Sequence, residues 1–168
     1  IDPGSGQVLE EFRLGENGVR GDFEGIAVLG STVFLTDSDG LILASPEGEA
    51  DARVSYKRLD TGIGARCEVE GLAAIRDPDR LLLACKSRRD RELLGGVTVF
   101  SVGLEDANDP AEVTSGPPEL LLDLPPAALE EVGLPRRLSV SGLEVHPETG
   151  RLVLVASREG RIVEMTPD

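Results

Sequence analysis

The chain has 168 residues, of which 40% are hydrophobic and only 3% aromatic, so the core is to be filled by Leu, Val and Ile rather than by rings. Acidic residues outnumber basic ones 31 to 17, and the net charge of −14 argues against nucleic acid or an anionic membrane surface as the main partner. It favours cations and basic ligands, or a solvated acidic surface that keeps the protein soluble, and no apolar run reaches the roughly 18 residues that a membrane span needs.

The chain opens at Ile1-Asp2-Pro3 without a Met and reads as a trimmed product. Residues 1–21 read as a turn over 2–6, a strand over 7–14 with partial alternation, and a Gly-rich loop over 15–21. That strand is expected to be the outer strand of a preceding unit.

The next stretch organises the chain, because it is restated twice. In residues 22–40, Glu24-Gly25-Ile26-Ala27 opens an apolar run, Gly30-Ser31 turns, and Thr32-Val33-Phe34-Leu35 runs into Thr36-Asp37-Ser38-Asp39-Gly40. Residues 68–86 repeat it with Glu70-Gly71-Leu72-Ala73, a turn at Asp77-Pro78, and Leu81-Leu82-Leu83-Ala84-Cys85. Residues 139–158 repeat it again with Ser141-Gly142-Leu143, a turn at Pro147-Glu148-Thr149-Gly150, and Leu152-Val153-Leu154-Val155-Ala156. Self-similar units of this size stack or ring to bury faces that none can bury alone.

Gly25 and Gly71 stand 46 residues apart, close to the period of a four-stranded propeller blade. Gly71 and Gly142 stand 71 apart, so the second unit carries an insertion. The expected units are a blade over 22–59, with strands at 41–45 and 53–59 after its hairpin, and a blade over 68–124. The latter has strands at 96–102 and 119–124, separated by a long surface loop at 104–118. A short helix follows at 125–133, with Pro in its first turn and Gly after it. Residues 139–168 start the next blade. The fold class is thus all-β, with about three four-stranded β-propeller blades of a probable six-bladed ring. Three blades cannot close a ring, so the chain reads as a piece of a longer propeller. If it is complete, its exposed blade faces would pair, for instance in a dimer that completes six blades.

Cys67 and Cys85 both fall in the second hairpin, close enough for either a disulfide or two small buried thiols. A bridge would imply an oxidising compartment.

The three hairpin mouths and their order of Glu-Gly, Glu-Gly and Ser-Gly resemble the SdiA-regulated family of bacterial six-bladed propellers, relatives of the phytase-like and gluconolactonase propellers. The resemblance rests on Asp22-Phe23-Glu24-Gly25-Ile26-Ala27, on Val69-Glu70-Gly71-Leu72-Ala73 with Leu81 to Lys86, and on Ser141-Gly142-Leu143 with His146-Pro147-Glu148-Thr149-Gly150-Arg151-Leu152. It implies an exported, periplasmic or envelope-associated propeller of undefined biochemistry that binds a ligand or calcium.

In a propeller the inner-strand mouths open on one face, which would place Glu24, Glu70 and Ser141 at equivalent positions around a channel. Such oxygens suit calcium, which takes six to eight of them. Asp37, Asp39 and Glu68 would add to the shell. The plainer reading makes Glu70 an ion-pair partner of Lys86 across its hairpin, and makes Asp37 and Asp39 caps of their own turn. Lys86, Arg88, Arg89 and Arg91 form a basic segment that would take a phosphate or carboxylate, or pair locally with Asp90 and Glu92.

His146, the only histidine, sits in a turn at the opposite end of its hairpin. No nucleophile elbow, second His, P-loop or dinucleotide fingerprint is present. Three functions stay open: a ligand- or calcium-binding propeller; a metal-dependent hydrolase of lactonase or phosphoesterase type; and a protein-interaction scaffold using the 104–118 loop and outer strands.

Overall fold

The computed structural model describes residue 2 and residues 4–167, and it is mostly β. Three antiparallel sheets follow one another along the chain. The first has the order β2 (Phe23–Leu29), β3 (Thr32–Asp37), β4 (Leu41–Pro46) and β6 (Lys57–Asp60). In the second, β7 (Cys67–Ile75) is followed by β8 (Arg80–Arg88), β9 (Val97–Glu105) and β10 (Thr114–Leu124). The third consists of β11 (Gly142–Val145), β12 (Leu152–Ala156) and β13 (Arg161–Met165). The first strands lie side by side, β2 against β7 and β7 against β11.

Burial follows from this stacking. The middle sheet has a neighbour on each face, so Leu81-Leu82-Leu83-Ala84-Cys85 is buried without a break, as expected of a strand covered on both sides. The outer sheets have a neighbouring sheet on one face only, and β3 is buried at every second residue from Thr32, while in β2 Ala27 and Leu29 face inward and Ile26 and Val28 are 64% and 62% exposed; β4 departs from this alternation and is buried from Ile42 through Ser45. One core lies between the first and second sheets, around Phe34, Ile42, Leu72, Leu83 and Phe100. The other lies between the second and third, around Leu82, Val99, Leu143, Leu152 and Leu154. The helix α1 (Pro126–Glu131) seats Leu129 in this second core.

Glycines set how closely the sheets approach. A Cβ on Gly25 would lie 2.7 Å from the Leu72 Cβ, and one on Gly71 would lie 2.9 Å from the Leu143 Cβ. Each Glu-Gly mouth therefore rests on the residue after the next sheet's mouth glycine. Gly142 meets only Val155 of its own sheet, at 3.5 Å.

Several boundaries differ from the sequence expectation. The strand expected over 7–14 shrinks to β1 (Arg13–Leu14), which pairs in parallel with β5 (Arg53–Val54) outside the three sheets. Val8 and Leu9 are about 60% exposed and join none of the sheets. The strand expected over 53–59 divides. Its first part follows β1, and its second pairs with β4 only as far as Lys57 opposite Ala44, near Pro46, which has no N–H to give.

The start of the basic segment belongs to the hairpin: Lys86-Ser87-Arg88 continues β8, with Ser87 opposite Glu68 and Arg88 opposite Cys67. The loop expected over 104–118 narrows to 106–113, between β9 and β10, and is not all surface. Ala107 and Val113 are buried in the first core, and Ser31 Oγ donates to the Asn108 carbonyl at 2.7 Å, tying the loop to the β2–β3 turn. The helix is shorter than the expected 125–133, because Pro125 is extended and Gly133 adopts φ 76°.

Cys67 and Cys85 form a disulfide across β7 and β8, Cα to Cα 5.7 Å. Closing a loop of 18 residues in the unfolded chain contributes about 3 kcal/mol. Reduction with dithiothreitol is therefore expected to lower the free energy of urea unfolding by about that amount, and an unchanged midpoint would count against it. A second expectation concerns the mouth glycines. Gly25→Ala and Gly71→Ala force the sheets apart and should each lose about 1–3 kcal/mol, whereas Gly142→Ala should change stability by less than about 0.5 kcal/mol. The same denaturation series checks all three, and equal losses would refute the close-approach argument.

Candidate functional site

At the first two mouths the backbone ladder is irregular, and the irregularity aims a side chain. In the first sheet Phe23 pairs with Asp37 and Gly25 with Thr36, so Glu24 is passed over. In the second, Glu68 pairs with Ser87, Val69 with Cys85 and Gly71 with Ala84, so both Lys86 and Glu70 are passed over. Such bulges leave a residue unpaired in the ladder and redirect its side chain. The β11–β12 ladder of the third sheet has no such shift; there Ser141 precedes β11 and its N–H donates to the Val155 carbonyl at 2.7 Å.

The released side chains of the second sheet find each other. Lys86 Nζ donates to Glu70 Oε1 in a close ion pair, and lies 3.8 Å from Glu68 Oε1. Glu68 Oε2 in turn accepts from Ser87 Oγ at 2.7 Å. The hydrogen bond to Glu70 holds the Lys86 ammonium above the usual lysine range; burial works the other way, and the charges of Glu70, Glu68 and Glu24 add to the rise.

Glu24 completes the group. Among the described residues it has no hydrogen-bond or ion-pair partner. Burial pushes its carboxyl above the usual glutamate value, and the neighbouring charges of Glu70 and Asp22 push it further. Two carboxylates thus hold one ammonium while the third, Glu24, stands unpaired near them, and the excess charge is negative.

The other expected site residues are engaged elsewhere. Asp37 Oδ1 accepts from the N–H groups of Asp39 and Leu41, both at 3.0 Å, and so shapes its own turn. Asp39 pairs with Arg89 at 2.7 Å. Ser141 Oγ donates to the Val155 carbonyl and accepts from the Ser157 N–H, each at 3.3 Å, within its own hairpin. Asp90 takes Arg66 at 3.1 Å rather than a member of the basic segment. His146 Nδ1 accepts from the Glu148 and Thr149 N–H groups and caps the β11–β12 turn.

Calcium needs six to eight oxygens. Here the ammonium of Lys86 stands between the carboxylates of Glu68 and Glu70, and no cluster of three or more His, Cys, Asp or Glu in metal-holding geometry occurs among the described residues.

Beside this group lies a cavity of about 160 Å³, between the end of β8, the turn before β9 and the segment after α1. Its lining includes Lys86, Arg88, Gly95, Gly96 and Arg137. Arg137 was not singled out in the sequence, because it stands outside the repeat, in the connection from the helix to the third sheet. The one signal was its place in Arg136-Arg137, a basic pair in an acidic chain. No family model matches the chain, and no curated protein or solved structure matches it.

Because folding raises the proton affinity of Glu24, its ionisation weakens the fold as pH rises through the carboxylate range. Glu24→Gln should be more stable than the parent chain at pH 7, with the gap closing below about pH 4. Urea unfolding at both pH values tests this, and a gap of constant size would contradict it.

Proposed function

We propose that this chain is part of a β-propeller of the SdiA-regulated type, whose inner-strand mouths form a face that binds a cationic group. What supports the propeller reading is the recurrence of one contact along the chain, from Gly25 to Leu72 and from Gly71 to Leu143. What carries the binding reading is Glu24. It is a carboxylate turned out of its ladder by a bulge and left without a partner, and it stands beside a second bulge at Glu70 that is already neutralised by Lys86.

In this reading Glu24 receives a cation, and Glu68 and Glu70 supply the surrounding negative field. An organic ammonium fits a single partnerless carboxylate better than calcium does, since Lys86 already shows an ammonium held by two carboxylates of the same group. Calcium is the second reading, favoured by the three-to-one excess of carboxylates over ammonium. It requires Lys86 to leave Glu70, which would free enough oxygens for a hard cation. A hydrolase on this face would have to draw its acid and base from these carboxylates, among which Glu24 has the raised proton affinity. The Cys67–Cys85 disulfide supports an exported or periplasmic setting.

Calorimetric titration of the chain with putrescine, and separately with calcium chloride, tests the proposal. The expected result is saturable putrescine binding that Glu24→Gln weakens at least tenfold. Saturable calcium binding lost in the Glu24→Gln, Glu70→Gln double variant would establish the metal reading in its place. Binding of neither by the folded chain would return both bulges to a structural role.

A further inference from the structure

We infer that the cavity beside Lys86 is a subsite for a small oxyanion, a phosphate or a carboxylate, gripped by Arg88 and Arg137. The inference deepens the proposed binding face by naming an anionic group on its ligand, and it rests on the reading that ligand reaches this end of the sheets.

Charge is the first argument. In a chain with a net charge of −14, three basic side chains line one cavity. Lys86 is committed to Glu70 and Glu68. The two guanidiniums are not committed to any carboxylate among the described residues: Arg88 Nη1 donates to the Leu93 carbonyl, and Arg137 Nη2 donates to the Lys86 carbonyl at 3.4 Å. Other arginines also have no ion pair among the described residues, but Arg88 and Arg137 are the two that line this cavity together. A guanidinium has five N–H donors in a rigid fork suited to two-point contact with a phosphate or carboxylate. Each of these arginines spends one on a backbone carbonyl, which orients the fork while leaving its full charge available.

Shape is the second. A Cβ on Gly95 would lie 3.0 Å from the Arg88 Cζ, so glycine at this position, which has φ 85°, lets the guanidinium lie against the backbone. The adjacent Gly96 is equally constrained, because a Cβ there would come within 2.4 Å of the Leu124 carbonyl oxygen. The Asp123 carboxylate forms no ion pair with these arginines among the described residues and accepts from the Leu94 N–H at 2.9 Å and from Thr98 Oγ1 at 2.8 Å. A volume of about 160 Å³ matches engineered cavities that admit a molecule the size of benzene, which is ample for a phosphate.

Lys86 joins the two regions, as its ammonium lies with Glu70 while its carbonyl holds Arg137. A ligand spanning both would carry a positive group toward Glu24 and an anionic group toward the arginines.

The test is calorimetric titration of the chain with inorganic phosphate and, separately, with acetate, at low ionic strength. Saturable binding of one or both is expected, and the anion that binds identifies the source as phosphate or carboxylate. Arg88→Gln and Arg137→Gln should each weaken it at least tenfold, while Arg76→Gln, which removes the same charge from the turn at the far end of the β7–β8 hairpin, should leave it unchanged. Absence of saturable binding for both anions, in a chain with an intact circular dichroism spectrum, overturns the inference. So does an equal weakening by Arg76→Gln, which would mean diffuse charge attraction. Putrescine binding separates this failure from that of the cation face, because Arg137→Gln should not abolish it.

Discussion

The structure depends on the close approach of one sheet's mouth glycine to the next sheet's apolar residue, Gly25 over Leu72 and Gly71 over Leu143. Side-chain-free backbone at these two points lets neighbouring first strands lie against each other, and the two cores fill the wedge that opens behind them. The middle sheet is consequently buried on both faces, which explains the unbroken Leu81 to Cys85 run, while β3 and β12 in the outer sheets alternate. Apolar residues remain on the two outward faces, Ile26 and Val28 on one side and Val155 and Ile162 on the other.

The same constraint places the polar group. A glycine that packs on its neighbour leaves the residue before it at the rim, and the ladder yields there with a bulge that turns Glu24 or Glu70 out of the hydrogen-bonding plane. Packing and site are thus two consequences of one Glu-Gly dipeptide. In the second sheet the facing strand yields as well, at Lys86, so the bulges on opposed strands neutralise each other through an ion pair. In the first sheet the facing strand has no bulge and no cation, and Glu24 is left with a raised proton affinity. The charge asymmetry between two otherwise equivalent mouths is what makes the first a candidate for ligand.

Long-range tethers hold this arrangement. The disulfide locks the second hairpin just below its mouth, the 106–113 loop docks on the first sheet through Ala107, Val113 and the Ser31–Asn108 hydrogen bond, and Asp39 reaches Arg89 across the first two sheets. The basic segment is drawn into β8 by the same pairing. Its members then diverge, Lys86 to the carboxylates, Arg88 to the cavity and Arg89 to Asp39.

How much was legible depends on the range of the interaction. Local pattern alone determined the three hairpins, their turns and the all-β class, because alternation and Gly or Pro punctuation are properties of adjacent residues. It also exposed the Glu-Gly repeat, and the pairing of Glu70 with Lys86 was open to it because both lie in one hairpin. Tertiary structure alone decided the rest. Of residues 7–14 only Arg13 and Leu14 pair, with β5 rather than with one of the three antiparallel sheets, and no residue in that segment reports which strand it will meet. The 104–118 segment has a loop's composition yet contributes Ala107 and Val113 to a core, since burial depends on what docks above it. Arg137 reaches the cavity only because the helix and its connection fold back over the second sheet, a juxtaposition of residues 51 positions from Lys86 that no spacing rule encodes.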